Sequence, residues 1–135
     1  MKKSHLLLIM VLAALCSCGK ETFYDKFVPE ILYFQKNDVE NADFKEITLP
    51  AGTTEWTTKA RISAPMKLKE IRLFKVTGAA NEELLQTYSD FQLSPNVYKL
   101  GFLIEGISVE TIVKIVATDM KNKVTTRNFT IKVAP

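Results

Sequence analysis

Beyond residue 29 apolar and polar residues alternate with a spacing of two, in short runs broken by turn chemistry. A spacing of two places every second side chain on the same side of an extended backbone, which is the signature of a half-buried β-strand. Strands are predicted over residues 30–35 (EILYFQ), 45–49 (KEITL), 56–63 (WTTKARIS), 70–76 (EIRLFKV), 84–88 (LLQTY), 97–104 (VYKLGFLI), 111–118 (TIVKIVAT) and 124–133 (VTTRNFTIKV). Between them PAGTT, SAPMK, TGAANEE, LSPN, EGIS and DMKNK supply the Pro, Gly, Asn and Asp that close turns. No segment carries the apolar spacing of a long amphipathic helix. Seven or eight strands at these intervals predict an all-β sandwich spanning residues 30–135 as one domain.

The alternation also selects the core. Ala60 and Ile62, Ile71 and Leu73, Tyr98, Leu100, Phe102 and Ile104, Val113, Ile115 and Ala117, then Phe129, Ile131 and Val133 each share one face of their strand. Lys59, Arg61, Arg72, Lys99, Lys114, Thr118, Asn128, Thr130 and Lys132 fall on the other face, toward water. Two sheets, each apolar on one side, satisfy this pattern by packing those sides together.

A different pattern precedes residue 30. Lys2 and Lys3 lead into the unbroken apolar run LLLIMVLAAL at residues 6–15, the basic head and apolar middle of a secretory signal. A membrane-spanning helix needs about 20 apolar residues, so this run is too short to be a permanent span. It ends in LCSC, where Cys16 and Cys18 stand one residue apart. The pair admits three readings: half of a metal site, a disulfide, or a processing signal. A zinc site needs about four ligands, and beyond Cys18 the chain has neither Cys nor His. A bond between Cys16 and Cys18 would close an unusually small ring. The segment resembles the bacterial lipoprotein signal, in which a Leu and two small residues precede a Cys that is lipidated after cleavage. With Cys18 as that residue, Leu15, Cys16 and Ser17 occupy the preceding three positions. Residues 1–17 then form the signal peptide, and residues 18–29 form the lipidated cysteine and its tether.

Cleavage changes the composition. Lys2 and Lys3 leave, 18 basic residues become 16 against 15 acidic ones, and the formal charge falls from +3 to +1. No basic stripe remains, and nucleic acid is not expected as a partner. The only histidine, His5, also leaves. Imidazole-based and thiol-based nucleophilic mechanisms lose their residues, and no phosphate-binding glycine motif is present. The sequence therefore predicts a chain that is not an enzyme and holds no cofactor or metal.

KEIRLFKV, ELLQTYSDF, SPNVYKLGF, TIVKIVATDMKNK and TTRNFTIKV, within residues 69–133, resemble the immunoglobulin-like and PKD-like domains of glycan-utilisation lipoproteins, in particular the domain after the lipid anchor of SusE-type and SusF-type proteins. The resemblance implies a single immunoglobulin-like β-sandwich on an outer membrane lipoprotein, on the periplasmic side or at the cell surface. In that family the sugar-binding platforms lie in further domains, and the domain of this type is a spacer. The expected function is thus a lipid-anchored structural or protein-interaction module of the envelope, partnered by the membrane and another envelope protein. The alternative is a small surface glycan-binding lipoprotein.

Phe74 lies opposite in parity to Ile71 and Leu73, beside Arg72, and these two residues are the candidate contact for a protein partner or a glycan. A covering loop or a bend in the strand would instead bury Phe74. Trp56 shares the parity of Ala60 and Ile62, so it either closes one end of the core or offers a platform on which sugar stacks. Asp38, Glu40 and Asp43 lie in an acidic loop that lacks the EF-hand order, and a solvated loop is expected there. Asp119 and Asn122 suit a hairpin connection. Asn128-Phe129-Thr130 matches a glycosylation sequon but falls inside a predicted strand.

Overall fold

Along Trp56–Ser63 the side chains of Thr58, Ala60 and Ile62 are buried while Thr57 and Lys59 are exposed, the period-two alternation of a strand with one wet face. The computed structural model describes residues 26–79 and 81–135, which form eight strands in two sheets. They are β1 (Glu30–Tyr33), β2 (Glu46–Leu49), β3 (Trp56–Ser63), β4 (Leu68–Thr77), β5 (Asn81–Tyr88), β6 (Val97–Ile104), β7 (Thr111–Asp119) and β8 (Val124–Val133). One sheet has the order β1-β3-β6 and the other β2-β8-β7-β4-β5. β1 pairs antiparallel with β3, whereas β2 crosses over and pairs parallel with β8. The chain passes repeatedly between the two layers, with β4–β5 and β7–β8 as hairpins within the five-stranded sheet, and both layers share one core, the arrangement of an immunoglobulin-like sandwich.

The core lies between the two sheets. Tyr33, Ile62, Ile71, Leu73, Ile104, Val113, Ile115, Phe129 and Ile131 are fully buried. At about 1.5–3 kcal/mol for each large apolar side chain taken out of water, these residues supply the main stabilisation of the fold. Tyr98, Phe102 and Val133, which the alternation puts on the same faces, are partly buried and pack against this cluster.

The boundaries that shift by two residues or more do so for identifiable reasons. β1 stops at Tyr33 because the chain then turns tightly, the Gln35 N–H donating to the Val39 carbonyl at 2.9 Å and Asp38 taking a left-handed φ of 57°. β5 starts at Asn81 because Asn81, Glu82 and Glu83 pair with Thr77, Val76 and Lys75, so ladder bonding draws polar residues into the strand. Gly78, at φ 66°, makes the reversal between β4 and β5. β4 starts at Leu68, where pairing with Asp119 precedes a register shift.

Candidate functional site

Arg72 and Phe74 are brought together on the outer face of the five-stranded sheet. The Arg72 Cζ lies 5.7 Å from the centre of the Phe74 ring, and Lys114, directly opposite on β7, places its Nζ at 4.9 Å. Both distances allow attraction between a cation and the ring face. Lys114 is held there by Glu82, 2.7 Å away. Arg72 Nε lies 3.0 Å from Glu70 Oε1, an ion pair by distance whose N–H is not aligned as a hydrogen bond. Phe74 is half-buried, and Leu84, opposite it on β5, is exposed. The ring is therefore flanked by two cations and is not a bare platform.

A second locus lies at one margin of the three-stranded sheet. Trp56 is partly buried and packs against the core, yet it also lines a groove of about 400 Å³ with Phe34, Leu103, Gln35, Asp38 and Glu55. Trp56 thus packs on the core as one of its two readings expects, and its place in the groove leaves the platform reading untested. Phe34 was not among the candidate residues, although it precedes the turn that brings Asp38 against β3. Asp38 pairs with Lys59 at 2.7 Å and Glu40 with Arg61 at 2.8 Å, so the acidic loop is tied to the sheet by ion pairs. No group of three or more His, Cys, Asp or Glu side chains stands close enough to hold a metal ion among the described residues.

The third locus is the open side of the sandwich, where the free edges of β5 and β6 run beside each other. Between them is a groove of about 240 Å³ lined by Leu85, Phe102, Leu103 and Ile104, with Lys75, Glu83 and Glu105 at its rim. Farther along the same two strands Tyr98 packs against both Tyr88 and Phe91, with ring centres 5.3 and 5.4 Å apart. Burial and the neighbouring Tyr98 push the Tyr88 hydroxyl above its ordinary pKa. Val97 and Leu103 on β6 and Leu84 on β5 are exposed. The sequence marks these side chains as apolar but does not mark which strands end as edges.

Cys18, the candidate lipidation site, lies outside the described residues, as do Cys16 and the signal segment. Asn128 is exposed on β8.

No protein-family model and no curated protein matches the sequence. Solved structures similar to the chain include a superoxide reductase (neelaredoxin) from Ignicoccus hospitalis, at 10% identity and a TM-score of 0.48 over 80% of this chain and 81% of that one. They also include fibronectin(III)-like modules of Clostridium thermocellum CbhA, at 10% identity and a TM-score of 0.41 over 77% and 95%. A third is the PmoD soluble domain from Methylocystis sp. ATCC 49242 (Rockwell), at 16% identity and a TM-score of 0.38 over 78% and 90%. The expectation that the chain is not an enzyme is corrected by these findings. One similar structure is an enzyme, and likeness at this level assigns neither a reaction nor the lack of one to the chain.

Proposed function

We propose that the protein is a lipid-anchored protein-interaction module of the cell envelope, tethered through Cys18 to the outer membrane on its periplasmic side or at the cell surface. The observation that carries this reading is the open side of the sandwich, where, among the described residues, two sheet edges are unpaired and a groove between them joins apolar side chains to Lys75, Glu83 and Glu105. Unpaired edges present rows of backbone donors and acceptors, and apolar side chains beside them reward burial by a second polypeptide. The resemblance of residues 69–133 to the anchor-proximal domain of SusE-type and SusF-type lipoproteins supports the same reading, because that domain is a spacer and not the sugar-binding head. The lipoprotein-like run ending at Cys18 supports the location, since two or more acyl chains on that cysteine would hold a protein to a bilayer far more firmly than one. The test is chemical cross-linking of the tagged protein in intact cells, followed by mass spectrometry. Cys18→Ser is expected to release the protein from membranes or leave an unprocessed precursor, and to change the cross-linked neighbours; a membrane-bound, normally processed Cys18→Ser protein would refute the anchor.

Glycan binding is a second reading, favoured by one observation: Phe34 and Trp56 line a single groove together with Gln35, Asp38 and Glu55. Aromatic walls with a few polar groups are the usual lining of a small-ligand site. Phe34→Ala is the clean probe, because Trp56 also packs against the core. Loss of retention on a glycan array in Phe34→Ala, with unchanged melting temperature, would favour sugar over protein as the ligand.

A further inference from the structure

We infer that β6 accepts an additional β-strand from another polypeptide, an extended segment in which apolar residues alternate with polar ones and an acidic residue lies opposite Lys99. This rests on the interaction-module reading above and specifies its partner.

The direction of the free hydrogen-bonding groups follows from the register. The Ala64 N–H donates to the Asn96 carbonyl at 2.8 Å, continuing the β3–β6 ladder by one pair. Directly bonded pairs alternate in an antiparallel ladder, so Ile62–Tyr98, Ala60–Leu100, Thr58–Phe102 and Trp56–Ile104 are bonded to each other. The Phe34 N–H donates to the Lys59 carbonyl at 3.0 Å, which independently turns the odd-numbered residues of β3 toward β1. The backbone groups of Val97, Lys99, Gly101 and Leu103 therefore point to the open side, where β6 has no neighbouring strand among the described residues.

Sheet edges are commonly blunted by charges, bulges, proline or a covering segment. β5 carries such devices: Glu82 and Glu83, and a register shift opposite Leu73 and Phe74 that leaves Leu85 as an extra residue. β6 keeps an unbroken register over eight residues, contains no proline and has Lys99 as its only charged side chain. Val97 and Leu103 remain 43% and 45% exposed on its outer face.

The side chains of an added strand are specified on both faces. Those opposite Leu100 and Phe102 would point inward, over the groove lined by Leu85, Phe102 and Ile104, where apolar groups fit. Those opposite Lys99 and Gly101 would point outward. There Lys59 is paired with Asp38 and Arg61 with Glu40, which leaves the exposed Lys99 as the cation to be matched. A second copy of β6 cannot supply that match, because Val97–Ile104 contains no Asp or Glu. Pairing of β6 with its own copy is therefore disfavoured, and the occupant proposed is a segment of another polypeptide that carries the acidic residue.

The test uses the full-length lipidated protein in detergent micelles and two labelled synthetic peptides, one alternating valine with glutamate and one alternating valine with lysine. The glutamate peptide is expected to bind and the lysine peptide to bind at least tenfold more weakly. Gly101→Pro removes an N–H on the open side without touching a β3–β6 bond, and should weaken the glutamate peptide at least tenfold. Lys99→Glu, at an exposed position that leaves folding intact even if the proline variant unfolds, should reverse the preference between the peptides. No binding of the glutamate peptide, or a preference unchanged in Lys99→Glu, would overturn the inference. Self-association in sedimentation that Gly101→Pro abolishes would also overturn it, in favour of a second copy. Cross-linked neighbours that persist in Lys99→Glu cells while peptide binding is absent would retire the β6 edge and leave the interaction-module reading standing.

Discussion

The guanidinium of Arg127 lies 5.7 Å from the centre of the Tyr33 ring, and the Tyr33 hydroxyl donates back to the Arg127 carbonyl at 3.0 Å. The same hydroxyl also reaches the Val113 carbonyl at 3.3 Å, while Arg127 donates to the carbonyls of Ile31 and Ala42. β1 of one sheet is thereby fastened to β7 and β8 of the other by polar contacts within an apolar core. Tyr33 is 1% exposed, so its hydroxyl has no water to fall back on. Tyr33→Phe keeps the ring and removes these bonds, and should lower stability by about 1 kcal/mol, seen as a lower urea midpoint at unchanged slope. Tyr33→Ala should cost about 3–5 kcal/mol, as truncation of a buried aromatic does. An unchanged midpoint in Tyr33→Phe would mean that the hydroxyl contributes nothing to holding the sheets together.

The same burial makes stability fall at alkaline pH. Desolvation pushes the Tyr33 hydroxyl far above the ordinary tyrosine pKa of 10.0, and the charge of Arg127 only partly opposes it. In the unfolded chain the phenol ionises near pH 10, whereas in the folded protein it stays protonated. Above that pH the folded state binds more protons, so unfolding becomes easier as pH rises. The contribution is fully present below about pH 9 and is lost progressively above about pH 10. Urea unfolding of wild type across this range should show a downward slope that Tyr33→Phe reduces. Tyr88, shifted in the same direction, should leave part of the slope in the variant. Parallel curves for the two proteins would assign the alkaline loss elsewhere.

Asp119 shows how a turn residue can also be a buried anchor. It is fully buried, and its Oδ1 accepts from the N–H groups of Lys121 and Lys123 at 2.9 and 2.8 Å. Asn122 takes a left-handed φ of 62° within the same turn. Asp119→Ala leaves two N–H groups without their acceptor and should cost about 1–3 kcal/mol. Asn122→Gly should be close to neutral, because glycine takes this conformation without strain. Thermal melts of the two variants should separate clearly, and equal losses would show that backbone conformation, not the carboxylate, controls the turn.

Most of the architecture is legible in the chain because burial follows strand parity: β3, β6 and β8 begin and end where the alternation puts them. Residues in connecting segments escape that logic. Ile107 is fully buried although it sits in the turn-like EGIS, held by an N–H bond to the Thr54 carbonyl and flanked by Lys75, whose Nζ donates to the Glu105 carbonyl at 2.6 Å. Phe91 is buried by its edge-to-face contact with Tyr98. Neither can be found by periodicity, because both lie in connecting segments outside the strands. The site is less legible than the fold for a related reason. Parity puts Arg72 and Phe74 on one face, but Lys114, Leu84 and the free edge of β6 join the candidate loci only through strand order, which no local pattern encodes.

Thr58 offers a stabilising change. It is 1% exposed on the core face of β3, and its hydroxyl has no hydrogen-bond partner among the described residues. A buried hydroxyl without a partner keeps its desolvation cost and gains nothing in return. Thr58→Val preserves the branched shape that suits a strand and should raise stability by about 1 kcal/mol. A lower melting temperature in Thr58→Val would show that the hydroxyl is satisfied in solution, by a buried water.

Phe74 separates folding from recognition. Its ring lies outside the sandwich core, between Arg72 and Lys114, so truncation removes contacts from a half-wet surface without opening an interior cavity. Phe74→Ala should cost less than about 2 kcal/mol, while Leu73→Ala, one residue away and fully buried, should cost about 2–5 kcal/mol. A double-mutant cycle with Lys114→Ala should return a coupling of about 0.5–1 kcal/mol, the range for a cation over a ring at an exposed site. If the ring and its cations also meet a protein partner, Phe74→Ala should weaken that complex by more than about 1 kcal/mol at temperatures where the variant is still folded. If Phe74→Ala destabilises the fold as much as Leu73→Ala does, Phe74 is a packing residue and the outer face of the five-stranded sheet loses its candidate contact.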